Sequence, residues 1–176
     1  DAQRIFRGEY LVFFPDNYGR EGMFFYVIAA VAQTMRLSPY SIRIASAVVG
    51  MVTIPAVYLL AVEYADVETG VYAALLLSIN RWHLVLTRSG YRVSLLPLFS
   101  ILTLYGLARA LRRGRFRDWA WCGLFLGLGL WTYKAFVFVL PTAIAGALLY
   151  ALLGHWHTRD PLRGERREAD TESPFP

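Results

Sequence analysis

Long apolar stretches separated by short polar segments make up most of the chain between residues 23 and 154. A helix that spans a membrane needs about 20 predominantly apolar residues. Four stretches approach that length, at residues 41–64, 69–86, 93–111 and 135–154, and a fifth, at residues 119–133, is near the lower limit. The pattern therefore predicts an all-α fold, a polytopic membrane helical bundle with about five spanning helices.

A sixth apolar stretch, residues 23–37, is short for a membrane crossing. It either crosses or lies in the membrane interface as an amphipathic or re-entrant helix, and its length favours the interfacial helix. Pro55, Pro97 and Pro141 lie inside three of the predicted spans, where we expect kinks. Gly123 and Gly127 have the spacing at which membrane helices pack closely together.

The composition and the distribution of charge agree with a membrane protein. Hydrophobic residues make up 56% of the chain, more than in an ordinary soluble domain. Residues 118–154 contain only two charged side chains, whereas residues 109–117 contain five arginines. We attribute the net charge of +5 to membrane orientation, because a nucleic-acid-binding protein would place its basic residues on an exposed polar face. Cys122 is the only cysteine, which excludes an intrachain disulfide and gives no support to a cysteine-based metal site.

Three segments differ in composition. We predict that residues 1–21 form an outer loop with substrate-site residues and that residues 22–154 form the transmembrane domain. Residues 155–176 lose the hydrophobic periodicity and mix charges with Pro and Ser, which is typical of a disordered tail or linker, here cytoplasmic. Because the chain begins at Asp1 without Met or a signal peptide, we expect it to be a fragment of a longer protein.

Arginines in short loops predict the orientation of the bundle. The five arginines of residues 109–117 place that loop on the cytoplasmic side. Counting crossings from there puts residues 63–70 on the cytoplasmic side and puts three segments outside: 37–43, 87–92 and 132–135. Residues 1–21 are also outside if residues 23–37 do not cross.

Four cations then lie at the outer membrane edge, where insertion does not favour them: Arg20, Arg88, Arg92 and Lys134. On one continuous helix Arg88 and Arg92 would share a face, where like charges repel and an anion between them would be attracted. The guanidinium fork suits phosphate because it donates two parallel hydrogen bonds. Each cation taken singly is explained by binding to lipid headgroups. The set of four predicts a phosphate-binding site.

Acidic and aromatic residues accompany these cations. Glu21 opens an apolar run, where it could cap the helix, bind a divalent cation or orient a substrate. For Glu9 and Asp16 we prefer a salt bridge or simple solvation. A lone histidine is no metal site, and the further candidates for substrate contact are Asp16, Tyr91 and His83.

Five short blocks of the chain resemble the successive N-terminal motifs of the polytopic GT-C glycosyltransferases. This group includes the protein mannosyltransferases and the aminoarabinose transferase-like enzymes. In chain order the blocks are "DAQRIFRGEYLVFF", "GREGMFFY", "SIRIASAVVG", "WHLVLTRSGYR" and "GLGLWTYKAFVFVLP". The resemblance covers residues 1–153 and implies a GT-C-like arrangement of the helices.

The resemblance implies an enzyme that transfers a sugar from a polyprenyl-phosphate donor to an acceptor hydroxyl on the outer face of a bacterial or archaeal plasma membrane. In that family an acidic pair in the first outer loop acts in catalysis, and a charged motif before the next helix matches Arg20 and Glu21. The resemblance therefore implies a catalytic role for Glu21, and also for Asp1 if Asp1 is a remnant of the acidic pair. It places the general base upstream of Asp1. Arg20, Arg88, Arg92 and Lys134 would hold the donor phosphate.

Two questions stay open from the sequence. A divalent cation is a candidate cofactor with Glu21 as its ligand, although the carboxylate that some family members have within residues 87–92 is absent here. The alternative function is that of a transporter or flippase fragment for an anionic or lipid-linked substrate. Against that alternative, the middle of each predicted span is nearly free of charge.

Overall fold

A computed structural model of the chain describes residues 5, 13–14, 20–35 and 38–158. Short strands β1 (Phe13–Phe14) and β2 (Arg20–Glu21) pair antiparallel, with Phe13 opposite Glu21. The described part otherwise consists of helices: α1 (Met23–Met35), α2 (Pro39–Tyr64), α3 (Val67–Ile79), α4 (Arg81–Arg88), α5 (Leu95–Arg113), α6 (Phe116–Leu130) and α7 (Val139–Thr158). Turns of 3₁₀ helix, Arg92–Ser94 and Lys134–Phe138, precede α5 and α7. The predicted all-α fold is confirmed.

Three of the described helical segments are long and apolar enough to cross a membrane: Pro39–Tyr64, Arg92–Arg113 and Lys134–Leu152. Shorter apolar helices cover Met23–Thr34 and Val67–Ile79. The chain is therefore an integral membrane helical bundle. Its contacts divide it into two compact units, residues 1–141 and 142–176. The first contains α1 to α6, and the second contains α7 from Thr142 onward.

Helices α2 and α3 begin at side chains that cap them. Ser38 and Ser41 form a capping box, in which the Ser41 amide donates to Ser38 Oγ at 3.3 Å and the Ser38 amide donates to Ser41 Oγ at 3.1 Å. Pro39 occupies the first turn, where no amide proton is needed. Asp66 caps α3, since its Oδ1 accepts from the Thr69 amide at 2.7 Å, and this bond lowers the pKa of the Asp66 carboxyl.

The predicted second span, residues 69–86, is not one helix. α3 ends at Ile79 and α4 begins at Arg81, with Asn80 between them in an extended conformation. Asn80 Oδ1 accepts from the His83 amide at 3.1 Å and so starts a new helix. The prediction was wrong here because hydropathy registers an apolar run but not a polar side chain that caps the backbone within it.

Of the three prolines, only Pro55 lies in the interior of a helix, α2, where a kink stays a prediction. Pro97 and Pro141 are the third residues of α5 and α7. A first turn has amide positions without partners within the helix, so a proline there interrupts no hydrogen bond. The kinks predicted at Pro97 and Pro141 are therefore wrong, because both prolines lie in the first turn of a helix.

Close helix packing occurs at glycines other than the predicted pair. A Cβ added at Gly123 or Gly127 would meet no atom within 4 Å. At Gly106 an added Cβ would lie 2.9 Å from Cα of Cys122, so α5 and α6 approach closely there. The buried ring of Phe136 lies against Gly129. The sequence spacing of the glycines could not identify which of them face a neighbour.

Contacts between the helices define two ends of the first unit. At one end Arg112 donates to the Tyr64 carbonyl at 3.3 Å and Arg113 Nη2 lies 3.2 Å from Glu63 Oε2. This arginine-rich end comprises residues 63–70 and 109–118. At the other end α2 begins, α4 ends and α5 begins, and a Cβ added at Gly90 would lie 3.0 Å from Ile42 Cγ2. We call this the site end, comprising residues 38–43, 87–95 and 131–134.

Candidate functional site

The site end joins two segments that are far apart in sequence. The Arg92 guanidinium carbon lies 5.2 Å from the centre of the Tyr133 ring, which is a cation–π distance. Lys134 follows Tyr133 directly and is exposed. The fold therefore brings Arg92 and Lys134, two of the four predicted phosphate ligands, to the same end of the bundle.

Arg88 and Arg92 do not share a helix. Arg88 is the last residue of α4, and the chain turns at Gly90, whose φ of +72° lies in the left-handed region that glycine adopts without strain. Tyr91 is extended, and the 3₁₀ turn that precedes α5 begins at Arg92. The helical stacking expected from the four-residue spacing is therefore replaced by a turn between the two arginines.

Exposure differs among the residues of this turn. Arg88 is exposed, Arg92 is half-buried and Tyr91 is 64% exposed. Ser94 is buried, and its Oγ has no hydrogen-bond partner within the part of the chain that the structure describes. Since Ser94 directly precedes α5, its hydroxyl lies near the positive end of that helix. A half-buried guanidinium and a helix N-terminus together favour an anion at this place.

His83 has a structural contact that accounts for its burial. Its Nε2 lies 3.3 Å from the Gly50 carbonyl oxygen, and its ring is buried between α4 and α2. Next to it, Ser46 Oγ donates to the Leu86 carbonyl at 3.4 Å. These bonds hold α4 against the first half of α2. These contacts explain the burial of His83 without a substrate. A substrate contact for His83 stays a prediction.

Of the N-terminal candidates, the structure describes only the backbone of Arg20 and Glu21. Arg20 and Glu21 form β2, which leads through Gly22 into α1. Early in α1, the Tyr26 ring lies 5.6 Å from that of Trp131, so α1 begins near the site end. Asp1 and Asp16 lie outside the described residues.

The residues that the structure describes do not form a metal site. No group of three or more His, Cys, Asp or Glu side chains is close enough there to hold a metal ion. Because the described residues alone do not fit a divalent cation, we derive no chemical step through one. A cation at Glu21 stays a prediction.

The arginine-rich end differs in how its cations are neutralised. Arg109 Nε lies 3.1 Å from Asp118 Oδ1, and Arg109 Nη1 donates to the Tyr105 hydroxyl at 2.9 Å. With the Arg112 and Arg113 contacts to α2, three of its five arginines bind groups of the protein itself. At the site end, Arg88 and Lys134 are exposed to the surroundings.

Comparison with known families decides between an enzyme and a transporter. The sequence model of the dolichyl-phosphate-mannose-protein mannosyltransferase family matches residues 22–163, more than half of the chain. The chain belongs to this family. No curated protein and no solved structure matches it.

Membership of the mannosyltransferase family shows a membrane glycosyltransferase and confirms the predicted resemblance at that level. The match includes the whole turn from Arg88 to Ser94 and the pair Tyr133 and Lys134, and it begins just after Glu21. Sequence reasoning missed Tyr133 and Ser94. An aromatic residue beside the single lysine of the chain was the available signal for Tyr133, whereas nothing in the sequence distinguished Ser94 from other serines near helix ends.

Proposed function

We propose that this protein transfers a sugar from a polyprenyl-phosphate donor to an acceptor hydroxyl, and that the donor phosphate binds at the site end on the non-cytoplasmic face. The observation that carries the proposal is the contact of Arg92 with Tyr133, at 5.2 Å, which brings the 3₁₀ turns that begin at Arg92 and Lys134 to the same end of the bundle. The family's description names a dolichyl-phosphate-mannose donor and a protein acceptor, which supports a donor of this chemical class.

The depth of the site suits such a donor. α5 has 19 residues and is therefore about 28 Å long, close to the hydrocarbon thickness of a bilayer. Arg92 lies just before the first residue of α5, and the last residues of α5 belong to the arginine-rich end. The two basic regions would therefore lie at opposite edges of the membrane. A lipid-linked phosphate lies at one edge while its tail remains among the acyl chains.

The reaction assigns a separate role to each charge. A carboxylate removes the proton of the acceptor hydroxyl, the oxygen attacks the anomeric carbon, and the bond from that carbon to the phosphate oxygen breaks. The leaving polyprenyl phosphate gains negative charge as this bond breaks. Arg92, Lys134 and Arg88 would stabilise that charge, together with Arg20 of β2 and the N-terminus of α5. Within this chain, Glu21 and Asp1 are our candidates for acidic residues that take part in catalysis.

Arg92→Ala in the full-length enzyme tests the site. We expect sugar transfer to fall roughly ten- to a thousandfold, because a donor aimed at the leaving phosphate is removed. Arg92→Lys should lose less, since the charge remains while the planar fork is lost. The measurement is the rate of transfer from a polyprenyl-phosphate sugar at equal membrane expression.

Arg112→Ala is the matched control, because it removes the same side chain from the opposite end of α5. It should keep close to wild-type transfer. Wild-type activity of Arg92→Ala would show that transfer does not depend on Arg92. An equal loss in Arg112→Ala would show that the effect is not specific to the site end.

A further inference from the structure

A cavity at the arginine-rich end has the composition of a second anion site. It has a volume of about 430 Å³ and lies between α5 and α6, lined in part by Arg109, Arg115, Arg117 and Asp118. Three guanidinium groups thus face one carboxylate. Asp118 is already paired with Arg109 at 3.1 Å, so the positive charge of Arg115 and Arg117 is not neutralised within the cavity.

Arg115 and Arg117 are exposed, and their side chains have no hydrogen bond or ion pair to other residues within the described ranges. By contrast, Arg112 and Arg113 at the end of α5 bind Tyr64 and Glu63 of α2. The four arginines of residues 112–117 therefore divide into two that brace the bundle and two whose side chains are available to a ligand.

Apolar side chains also line the cavity. Trp121 and Phe125 stack there with ring centres 5.6 Å apart. A second groove of about 320 Å³ shares Arg117 and Trp121 with the cavity and continues along α6 past Ala120 and Leu124. A charged cavity next to an apolar groove fits a ligand with an anionic head and a hydrocarbon chain. An indole between the two is typical of the membrane interface.

We propose that this cavity binds an anionic glycerophospholipid, with its phosphodiester at Arg115 and Arg117 and an acyl chain along the groove beside Leu124. The site is distinct from the site end, since it lies at the other end of α5, and it does not rest on the proposed reaction. Basic residues at a membrane surface attract anionic lipids with about 1 kcal/mol each, which corresponds to about fivefold in affinity.

The test is a titration of the purified full-length protein in neutral detergent with dioctanoyl phosphatidylglycerol. Native mass spectrometry counts bound lipids, and tryptophan fluorescence gives the dissociation constant. Dioctanoyl phosphatidylcholine, inorganic phosphate and farnesyl phosphate are titrated in parallel. We expect phosphatidylglycerol to bind most tightly, and Arg115→Gln and Arg117→Gln each to weaken it about fivefold.

Arg112→Gln is the matched control, because it removes one charge at the same membrane edge but outside the cavity. Its affinity should stay within about twofold of wild type. An equal loss in Arg112→Gln would show nonspecific attraction to surface charge and overturn the proposal. So would equal binding of phosphatidylcholine, competition by inorganic phosphate, or tighter binding of farnesyl phosphate, which would assign the cavity to the donor lipid. Circular dichroism of each variant establishes that it is folded.

Discussion

The best-defined residue contact of the site end is that between Arg92 and Tyr133. The guanidinium lies over the ring at a cation–π distance, which restricts its orientation. At the same end, Gly90 and its left-handed φ separate Arg92 from Arg88. Single residues with special conformations or contacts, rather than a continuous helical face, thus position the cations.

Two glycines of α6 provide a test of packing at the residue scale. Gly129→Ala should destabilise the protein by about 1–3 kcal/mol, because the added methyl overlaps the buried Phe136 ring. Gly123→Ala should leave stability unchanged or raise it by about 0.5–1 kcal/mol, since nothing lies within 4 Å and alanine favours the helix. Unfolding in detergent followed by circular dichroism measures both. Equal stability of the two variants would contradict the packing of Phe136 on Gly129.

At the scale of elements, α3 and α4 together form the second arm of a hairpin with α2. Gly70 approaches Val62 near one end, His83 approaches Gly50 in the middle and Gly90 approaches Ile42 near the other. The break at Asn80 therefore does not reverse the path of the chain, and Arg88 still reaches the site end. The cap at Asn80 lets α4 adopt its own packing against α2.

Asn80→Ala tests this cap. We expect the change to lower the free energy of unfolding by about 1 kcal/mol, because the His83 amide loses the side-chain acceptor that starts α4. Asn80→Asp should retain most of the stability, since a carboxylate also caps. Chemical denaturation in detergent gives the two differences. An Asn80→Ala variant as stable as wild type would mean that α3 and α4 fuse into one helix without cost.

At the scale of the whole first unit, the distribution of charge and the length of α5 both indicate that the two basic ends lie at opposite edges of the membrane. Three arginines at one end bind protein groups, while the cations of the other end include exposed Arg88 and Lys134. The positive-inside rule predicts a cytoplasmic location for the arginine-rich end. The site end would then face outward, as the proposed reaction requires.

Single cysteines in a Cys122→Ser background test this orientation. Ser89→Cys, at the exposed end of α4, should react with a membrane-impermeant maleimide in intact cells. Thr69→Cys, exposed in the first turn of α3, should react only after permeabilisation. Asn17→Cys should behave as Ser89→Cys if α1 does not cross. Reaction of Ser89→Cys only after permeabilisation would place the site end on the cytoplasmic face.

The sequence by itself determined the membrane class, the helical fold and the separation of charges, because transfer from water to hydrocarbon acts on each segment independently of its neighbours. It also contained the caps at Ser38, Asp66 and Asn80, since capping involves residues only three positions apart. Hydropathy does not register the cap at Asn80, so the apolar pattern predicted one helix where the structure has α3 and α4.

Only the tertiary structure decided which residues meet. The pairing of Arg92 with Tyr133, the burial of His83 and the close approaches at Gly106 and Gly129 depend on how each helix is rotated and shifted against the next. Those rotations follow from the combined packing of many side chains, so no local pattern encodes them. The same packing forms the cavity lined by Arg115 and Arg117, which the sequence showed only as part of a basic segment.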